Sequence, residues 1–383
     1  MSASPRHPST RDAPSPRLSS RPGPRLRIES CKLGTRLDAF CLDIHKNEAV
    51  SLLSDDPALP SMLCDVIAGF RSASYGSLAV EGIMLDGLPP ESRPVVLVSP
   101  RDPLFPHLDV AGNIAFPLRV RGKGQQEIEA STTRILALVG LERVARTRIS
   151  ALDAGQRIRL ALGRALAGTP SILLLDRIFA GLDLRTVRRL RQMIVTLQRA
   201  LGLTLIHVAQ DRDDALWLGG RIAIFDSGTL VQCADAGTLL DRPEDERIAS
   251  LFGEANTLAG RVLSIDDDIA RIHLACGGVV EAIADERLEA DALCVLCIRP
   301  DRIAPLIGST MAMEEDTPPL MATIQTVLHA GDQIRLRLRL ADGSEIEIRR
   351  PLLQAMRGVT PGATVQLAWQ ASQAVAFPMK DDL

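Results

Sequence analysis

The sequence predicts an α/β domain built on a largely parallel sheet, followed by a small β-barrel domain. Three features of its 383 residues carry that reading. Short apolar runs alternate with helical segments from about residue 26 to 240, as a helix-covered parallel sheet requires. Runs such as Ala49–Leu53, Ser51 apart, and Ile172–Leu175 are apolar without alternation, as in strands buried on both faces. From residue 257 the texture changes to short strands at close intervals with Gly-Gly and Asp-Gly turns at Gly277 and Asp342.

Residues 1–25 are Pro, Ser and Arg with almost nothing apolar, a composition that does not offset the entropy of ordering, so disorder is expected. A basic tail of this kind suits contact with acidic membranes, although an unselected tail is the simpler reading. Gln125–Val144, Ile158–Ala167 and Val187–Leu201 read as helices separated by glycine-rich punctuation. Residues 241–256 read as a linker and 257–383 as the barrel domain. In Ile334–Leu340 leucine alternates with arginine, which turns the leucines to a core and the arginines outward. Barrels of this class include oligonucleotide binders, but no aromatic residue is interleaved with the arginines. A solvated strand face is therefore expected, with no nucleic-acid partner.

The formal charge of −3 gives no global attraction to nucleic acid or anionic lipid. No apolar run approaches the roughly 18 residues needed to cross a bilayer, and no secretory signal opens the chain, so a cytoplasmic protein is expected. Seven scattered cysteines form no disulfide framework, and Cys294 and Cys297 lack the second pair of a zinc site. Both are expected in a strand core.

Motifs along the chain add a resemblance. LFPHLDVAGNIAFPL at 104–118 and ALVGLERVA at 137–145 resemble the helical subdomain of ATP-binding-cassette ATPases. The stretch from Leu152 to Asp176 is similar to the family signature and the Walker B strand, and AGLDLRTVRRL to the D-loop and its helix. GEANTLAGRV at 253–262 and CIRPDRI at 297–303 resemble the regulatory barrel (TOBE-like) domain of spermidine/putrescine-type importers. The resemblance implies a P-loop-type nucleotide-binding fold with a helical subdomain, ATP and magnesium as cofactors, and a dimer of ATP-binding subunits. It also implies permease partners and a peripheral location on the inner face of the cell membrane.

Against that pattern the chemical positions have changed. A phosphate loop needs glycines whose N–H groups close around phosphate, a lysine, and a Ser or Thr for magnesium. Counting back from VIAGF at 66–70, the loop falls on Ser54, Asp55, Asp56, Pro57, Ala58, Leu59, Pro60 and Ser61. The glycines are gone and Pro60 holds the lysine position. The chain has only Lys32, Lys46, Lys123 and Lys380, so no shifted lysine compensates. Proline in a first helical turn and an aspartate before it keep a helix capped. Asp55 and Asp56 also repel triphosphate, since like charges about 4 Å apart interact by roughly 4 kcal/mol at an effective dielectric near 20.

Asp176 keeps the magnesium-holding Walker B position, with Ser61 as the other magnesium residue, so any metal held there is expected to be held weakly. Arg177 replaces the catalytic glutamate, and an arginine accepts no proton near neutral pH. Losing a positioned base typically costs about 10² to 10⁴ in rate. Gln210 replaces the switch histidine. His207, three residues earlier on a strand, points to the opposite face and is expected in the core or on the surface rather than as a substitute. Pro100 replaces the coupling glutamine, and the adenine platform falls near Leu33. The signature reads Leu152, Asp153, Ala154, Gly155, Gln156, which caps its helix but offers a carboxylate to a γ-phosphate held by a partner subunit. Asp183 keeps the D-loop.

The Leu104–His107 segment, which in the family lies near the coupling helix of the membrane subunit, is spared. These features together suggest an importer subunit for polyamine or a related solute that assembles but hydrolyses little or no ATP. In a homodimer both composite sites would be defective, whereas a heterodimer with a competent subunit would keep one partly functional. Two alternatives remain: a regulatory or scaffold protein working through the barrel domain, and a slow ATPase using Asp176 and Ser61.

Overall fold

The computed structural model describes residues 23–33, 38–101, 103–306, 318–352 and 359–379. Most of the Pro/Ser/Arg-rich segment and Lys380 lie outside the described residues. Strands β1 (Leu26–Lys32) and β2 (Phe40–Ile44) pair antiparallel, and β3 (Ala49–Ser54) leads through a short turn into α1 (Ala58–Ala68). Helix α1 stops at Gly69, whose φ of 89° suits glycine, and a Cβ there would sit 2.6 Å from Arg93 Nε. Arg93 Nη1 donates to the carbonyls of Val66 and Ile67, satisfying the helix end. β4 (Tyr75–Val80) and β5 (Ile83–Met84) complete a four-stranded sheet in the order β2-β1-β4-β5, and β6 (Val95–Val98) enters the main sheet.

Helices α2 (Val110–Val120), α3 (Gln125–Val139) and α4 (Ala154–Ala167) form a layer around their own core of Ile114, Ile135, Val139 and Leu160. The helix expected over 125–144 is shorter, because Gly140 turns left-handed at φ 67° and Glu142–Val144 becomes a separate single turn. β7 (Ile172–Asp176), α5 (Leu184–Leu201), β8 (Thr204–Val208), α6 (Arg212–Leu216), β9 (Arg221–Asp226) and β10 (Thr229–Asp235) complete the domain. The six-stranded sheet runs β10-β9-β3-β8-β7-β6, parallel throughout except for β10. Every residue of β7 and β8 is buried, which explains the unbroken apolar run Ile172–Leu175 of β7. On α5 the buried residues Val187, Leu190, Ile194 and Leu197 recur at helical spacing and define its packed face.

Helices α7 (Ala236–Asp241) and α8 (Glu246–Leu251) lead into the second part. The expected linker thus holds a helix: Ile248 and Phe252 pack on the α/β side, while Ala249 packs against Cys297 and Phe377. The second part comprises β11 (Asn256–Asp266), β12 (Ile269–Leu274), β13 (Val279–Ala284), β14 (Leu293–Ile298) and β15 (Ala304–Leu306). It continues with β16 (Leu320–His329), β17 (Gln333–Leu340), β18 (Glu345–Pro351), β19 (Thr364–Ala368) and β20 (Ala374–Pro378). Five of these strands close a barrel in the order β11-β12-β13-β20-β14. The other five form a second sheet, β15-β19-β16-β17-β18, so a barrel is present but is not the whole domain.

One apolar core joins barrel and sheet, with Leu258, Val262 and Leu296 from the former and Leu336, Leu338 and Ile348 from the latter. The leucine face of β17 is covered in this way, while Arg337 and Arg339 face solvent. Cys294 and Cys297 are buried on β14, and burial pushes the Cys294 thiol up to about 11. Among the described residues no helix is long and apolar enough to cross a membrane.

The alternation along β17 has an energetic consequence that mutation can read. Leu338→Ala should destabilise the C-terminal domain by about 2–5 kcal/mol, and Arg337→Ala by no more than about 0.5 kcal/mol. Urea unfolding of the full chain, following the transition of that domain, measures both.

Candidate functional site

In open parallel sheets, ligand sites form at the carboxyl ends of the strands. β3 ends there with Ser54 and β7 with Asp176, and Ser99 follows β6. Of the loop residues 54–61, Ser61 is the one hydrogen-bonded to Asp176 among the described residues. Ser61, in the first turn of α1, donates its hydroxyl to Asp176 Oδ1 at 2.6 Å.

The loop between β3 and α1 is closed on its own side chains. Asp55 Oδ1 accepts from Asp56 N at 2.8 Å and from Ser54 Oγ at 3.1 Å, and Asp56 Oδ1 accepts from Ala58 N at 2.9 Å. Pro57 occupies the N-cap position itself and has no side-chain acceptor, so the capping comes from Asp56, one residue earlier. Pro60 sits buried in the first turn, where a missing N–H costs nothing. Carboxylates thus occupy the two backbone N–H groups at the mouth of the helix that a phosphate would approach.

Asp176 is 3% exposed, and its second oxygen accepts from Arg101 Nη2 at 2.8 Å. The same guanidinium binds Asp65 through both terminal nitrogens, at 3.0 and 3.2 Å, and Ser99 Oγ lies 3.4 Å from Asp176 Oδ2. Hydrogen bonding to Asp65, with Asp176 adding to it, holds the Arg101 pKa above its ordinary range despite some burial. Arg101 occupies no motif position in the sequence; the coupling position falls on its neighbour Pro100, which is exposed. One signal was available: Arg101 is the only Lys or Arg between residues 94 and 118.

The remaining positions take separate places. Arg177, just past β7, is exposed and held at φ 50°, a conformation uncommon for a residue with a side chain. Leu33 is 6% exposed and packs in the core with Phe40 and Leu42, so it offers no open platform. At the start of α4, Asp153 and Gln156 form a reciprocal capping box, with Gln156 N to Asp153 Oδ1 at 2.7 Å. Gly155 lets this helix approach α5, since a Cβ there would lie 2.8 Å from Thr186 Cγ2. Asp183 caps α5 through Thr186 N and Thr186 Oγ1, and that hydroxyl contact lowers its pKa. The start of α4, Asp153 to Gln156, therefore approaches the first turn of α5 through Gly155 and Thr186.

His207 is fully buried between Phe179 and Trp217, with ring centroids 5.6 and 5.4 Å away, as a core residue. Its Nε2 lies 3.1 Å from Asp214 Oδ2, and Asp214 also accepts from Arg191 at 2.7 Å and from Gln210 N at 3.0 Å. Gln210 therefore contributes its backbone to this buried group, while its residue as a whole is exposed. Farther out, the buried Asn113 side chain accepts from Phe105 N and donates to Phe105 O and Asp109 O, fixing the Leu104–His107 segment.

Burial alone would raise the pKa of Asp214, but contact with His207, the Gln210 N–H and Arg191 outweighs it and the net shift is downward. A depressed folded-state pKa adds stability above the unfolded value near 3.9, and that stability is lost as pH falls through the folded value. Asp214→Asn should cost about 1.5–3 kcal/mol at pH 7, with the difference from the unsubstituted chain shrinking below about pH 4. Urea unfolding across that pH range measures it.

Comparison with known proteins agrees with this fold. A family model described as ABC transporter matches residues 37–180, and one described as TOBE domain matches residues 296–377. The chain is 33% identical over 339 residues to the spermidine/putrescine import ATP-binding protein PotA of Rubrobacter xylanophilus, covering 88% of each. It is 34% identical over 323 residues to PotA 1 of Pseudomonas aeruginosa, covering 83% of this chain and 86% of that protein. With PotA of Roseobacter denitrificans it shares 32% identity over 339 residues, covering 86% and 90% respectively. The matches run through the parallel sheet, the helical layer and the C-terminal strands, and the chain belongs to the ATP-binding subunits of ABC transporters, in the spermidine/putrescine-importer family that carries a TOBE domain.

Proposed function

We propose that the chain is an importer subunit that assembles with permease partners on the inner face of the membrane but hydrolyses little or no ATP itself. The family uses ATP and magnesium. Here the observation that carries the reading is the closed loop between β3 and α1, in which Asp55 and Asp56 take the N–H groups of Asp56 and Ala58. A triphosphate would have to displace both carboxylates and remain beside them without a lysine. The residues present do not fit magnesium nucleotide, because Ser61 and Arg101 already satisfy the two oxygens of Asp176. Arg177 supplies no base for an attacking water.

Retention of the assembly features supports an importer role. Phe105 is pinned by Asn113 and its ring centroid lies 4.4 Å from that of Phe116, and Asp153 and Asp183 each cap their own helix. Polyamine, or a related solute, is the proposed cargo class from the names of the relatives. In a homodimer both sites would combine this loop with this signature, so transport needs a competent second ATP-binding subunit.

Titrating the purified chain with a fluorescent ATP analogue and magnesium should give no saturable binding in the low micromolar range and no turnover above a buffer blank. Saturable binding with turnover would instead make it a slow ATPase. Complexes purified from native membranes should contain a second ATP-binding subunit beside the permeases. An actively transporting complex holding only this chain would refute the heterodimer.

A further inference from the structure

The geometry points to Arg101 as a built-in cation that takes the place of a divalent metal at the carboxyl end of β7. The inference rests on the reading of this site as one that no longer takes magnesium nucleotide, and it says what has replaced the metal. Four oxygen-bearing side chains converge on one small region: Asp176, Asp65, Ser61 and Ser99. Arg101 Nη2 contacts Asp176 at 2.8 Å and Asp65 at 3.0 Å, Nη1 contacts Asp65 at 3.2 Å, and Nε lies 3.4 Å from Ser99 Oγ. Carboxylate and hydroxyl oxygens are the donors that hard divalent cations select. Among the described residues, Arg101 is the only cation within ion-pair distance of Asp176.

A routine surface ion pair does not account for this arrangement. Asp176 is buried at the end of a central strand, and a buried carboxylate is tolerated only when it is paired. The Arg101 side chain is 58% exposed, so it reaches inward from the rim and closes the site as a cation entering from solvent would. Its own backbone N–H bonds Ser99 Oγ at 3.2 Å, which fixes the turn that aims it. The guanidinium supplies one positive charge against two carboxylates. Without it, the two carboxylates that share Nη2, Asp65 and Asp176, would have no counter-charge there, a pair that a divalent ion would neutralise.

The test uses the full chain without nucleotide, comparing unsubstituted protein with Arg101→Ala, Arg101→Lys and Arg101→Ala/Asp176→Asn. Thermal melting is followed with MnCl₂ against KCl of matched ionic strength, and Mn²⁺ binding by electron paramagnetic resonance. Arg101→Ala should melt lower, bind Mn²⁺ and regain melting temperature with it. The unsubstituted chain, Arg101→Lys and the double variant should bind no Mn²⁺ and show no gain. Should Arg101→Ala not fold, Arg101→Gln keeps most of the side-chain volume without the charge and carries the same expectation. Equal Mn²⁺ binding by the unsubstituted chain, or no Mn²⁺ response in an uncharged variant that folds, would overturn the inference. Nucleotide is absent throughout, so a failure of the pseudo-ATPase reading would appear separately, as saturable ATP binding by the unsubstituted chain.

Discussion

The structure turns on how the charge of Asp176 is balanced. β7 is buried along its whole length between β6 and β8 and delivers this carboxylate to the end of the sheet with almost no water contact. Leaving such a charge unpaired costs several kcal/mol. In the present chain the balance is internal, with the Ser61 hydroxyl on one oxygen and the Arg101 guanidinium on the other. That pairing ties α1, which carries Ser61 and Asp65, to the turn after β6. The three elements around the site are thus joined without a ligand.

The changed motifs have one physical theme. At Asp55, Asp56 and Asp153 the side chain present satisfies local backbone N–H groups. Asp56 caps the turn into α1 where a phosphate would have received those N–H groups. Asp153 closes a capping box at α4, and Gly155 is still needed because α5 lies too close for a side chain. Helix caps contribute about 1 kcal/mol each, so these substitutions preserve the fold that positions Phe105 and the D-loop. On the proposed reading, architecture and ATP chemistry separate because a helix N-terminus accepts a carboxylate from its own chain as it would one from a ligand.

Much of this was legible in the sequence because burial writes a pattern. The apolar runs at Ala49–Leu53, interrupted only by Ser51, and Ile172–Leu175 mark two-sided burial, and the Leu/Arg alternation of β17 marks one-sided burial. Strand alternation does not separate His207 from Gln210, because β8 ends at Val208 and both the His207 ring and the Gln210 N–H meet Asp214. Contacts between distant residues leave no such trace. Nothing periodic pairs Arg101 with Asp65 and Asp176, 36 and 75 residues away, or Arg191 with Asp214. The second sheet was merged into one barrel for a similar reason, since strand pairing order is not encoded in strand texture. Gly140 shortened a helix because a left-handed glycine stops a helix even where the apolar spacing continues.

The central claim is that the chain's own residues fill the space of the metal and the phosphates. Crystals grown with manganese and ATP test it most directly through an anomalous difference map. The account predicts no manganese peak between Ser61 and Asp176 and an Arg101 guanidinium still bonded to Asp176. A manganese peak there, with Arg101 displaced and phosphate density against the turn at Asp55 and Asp56, would contradict it.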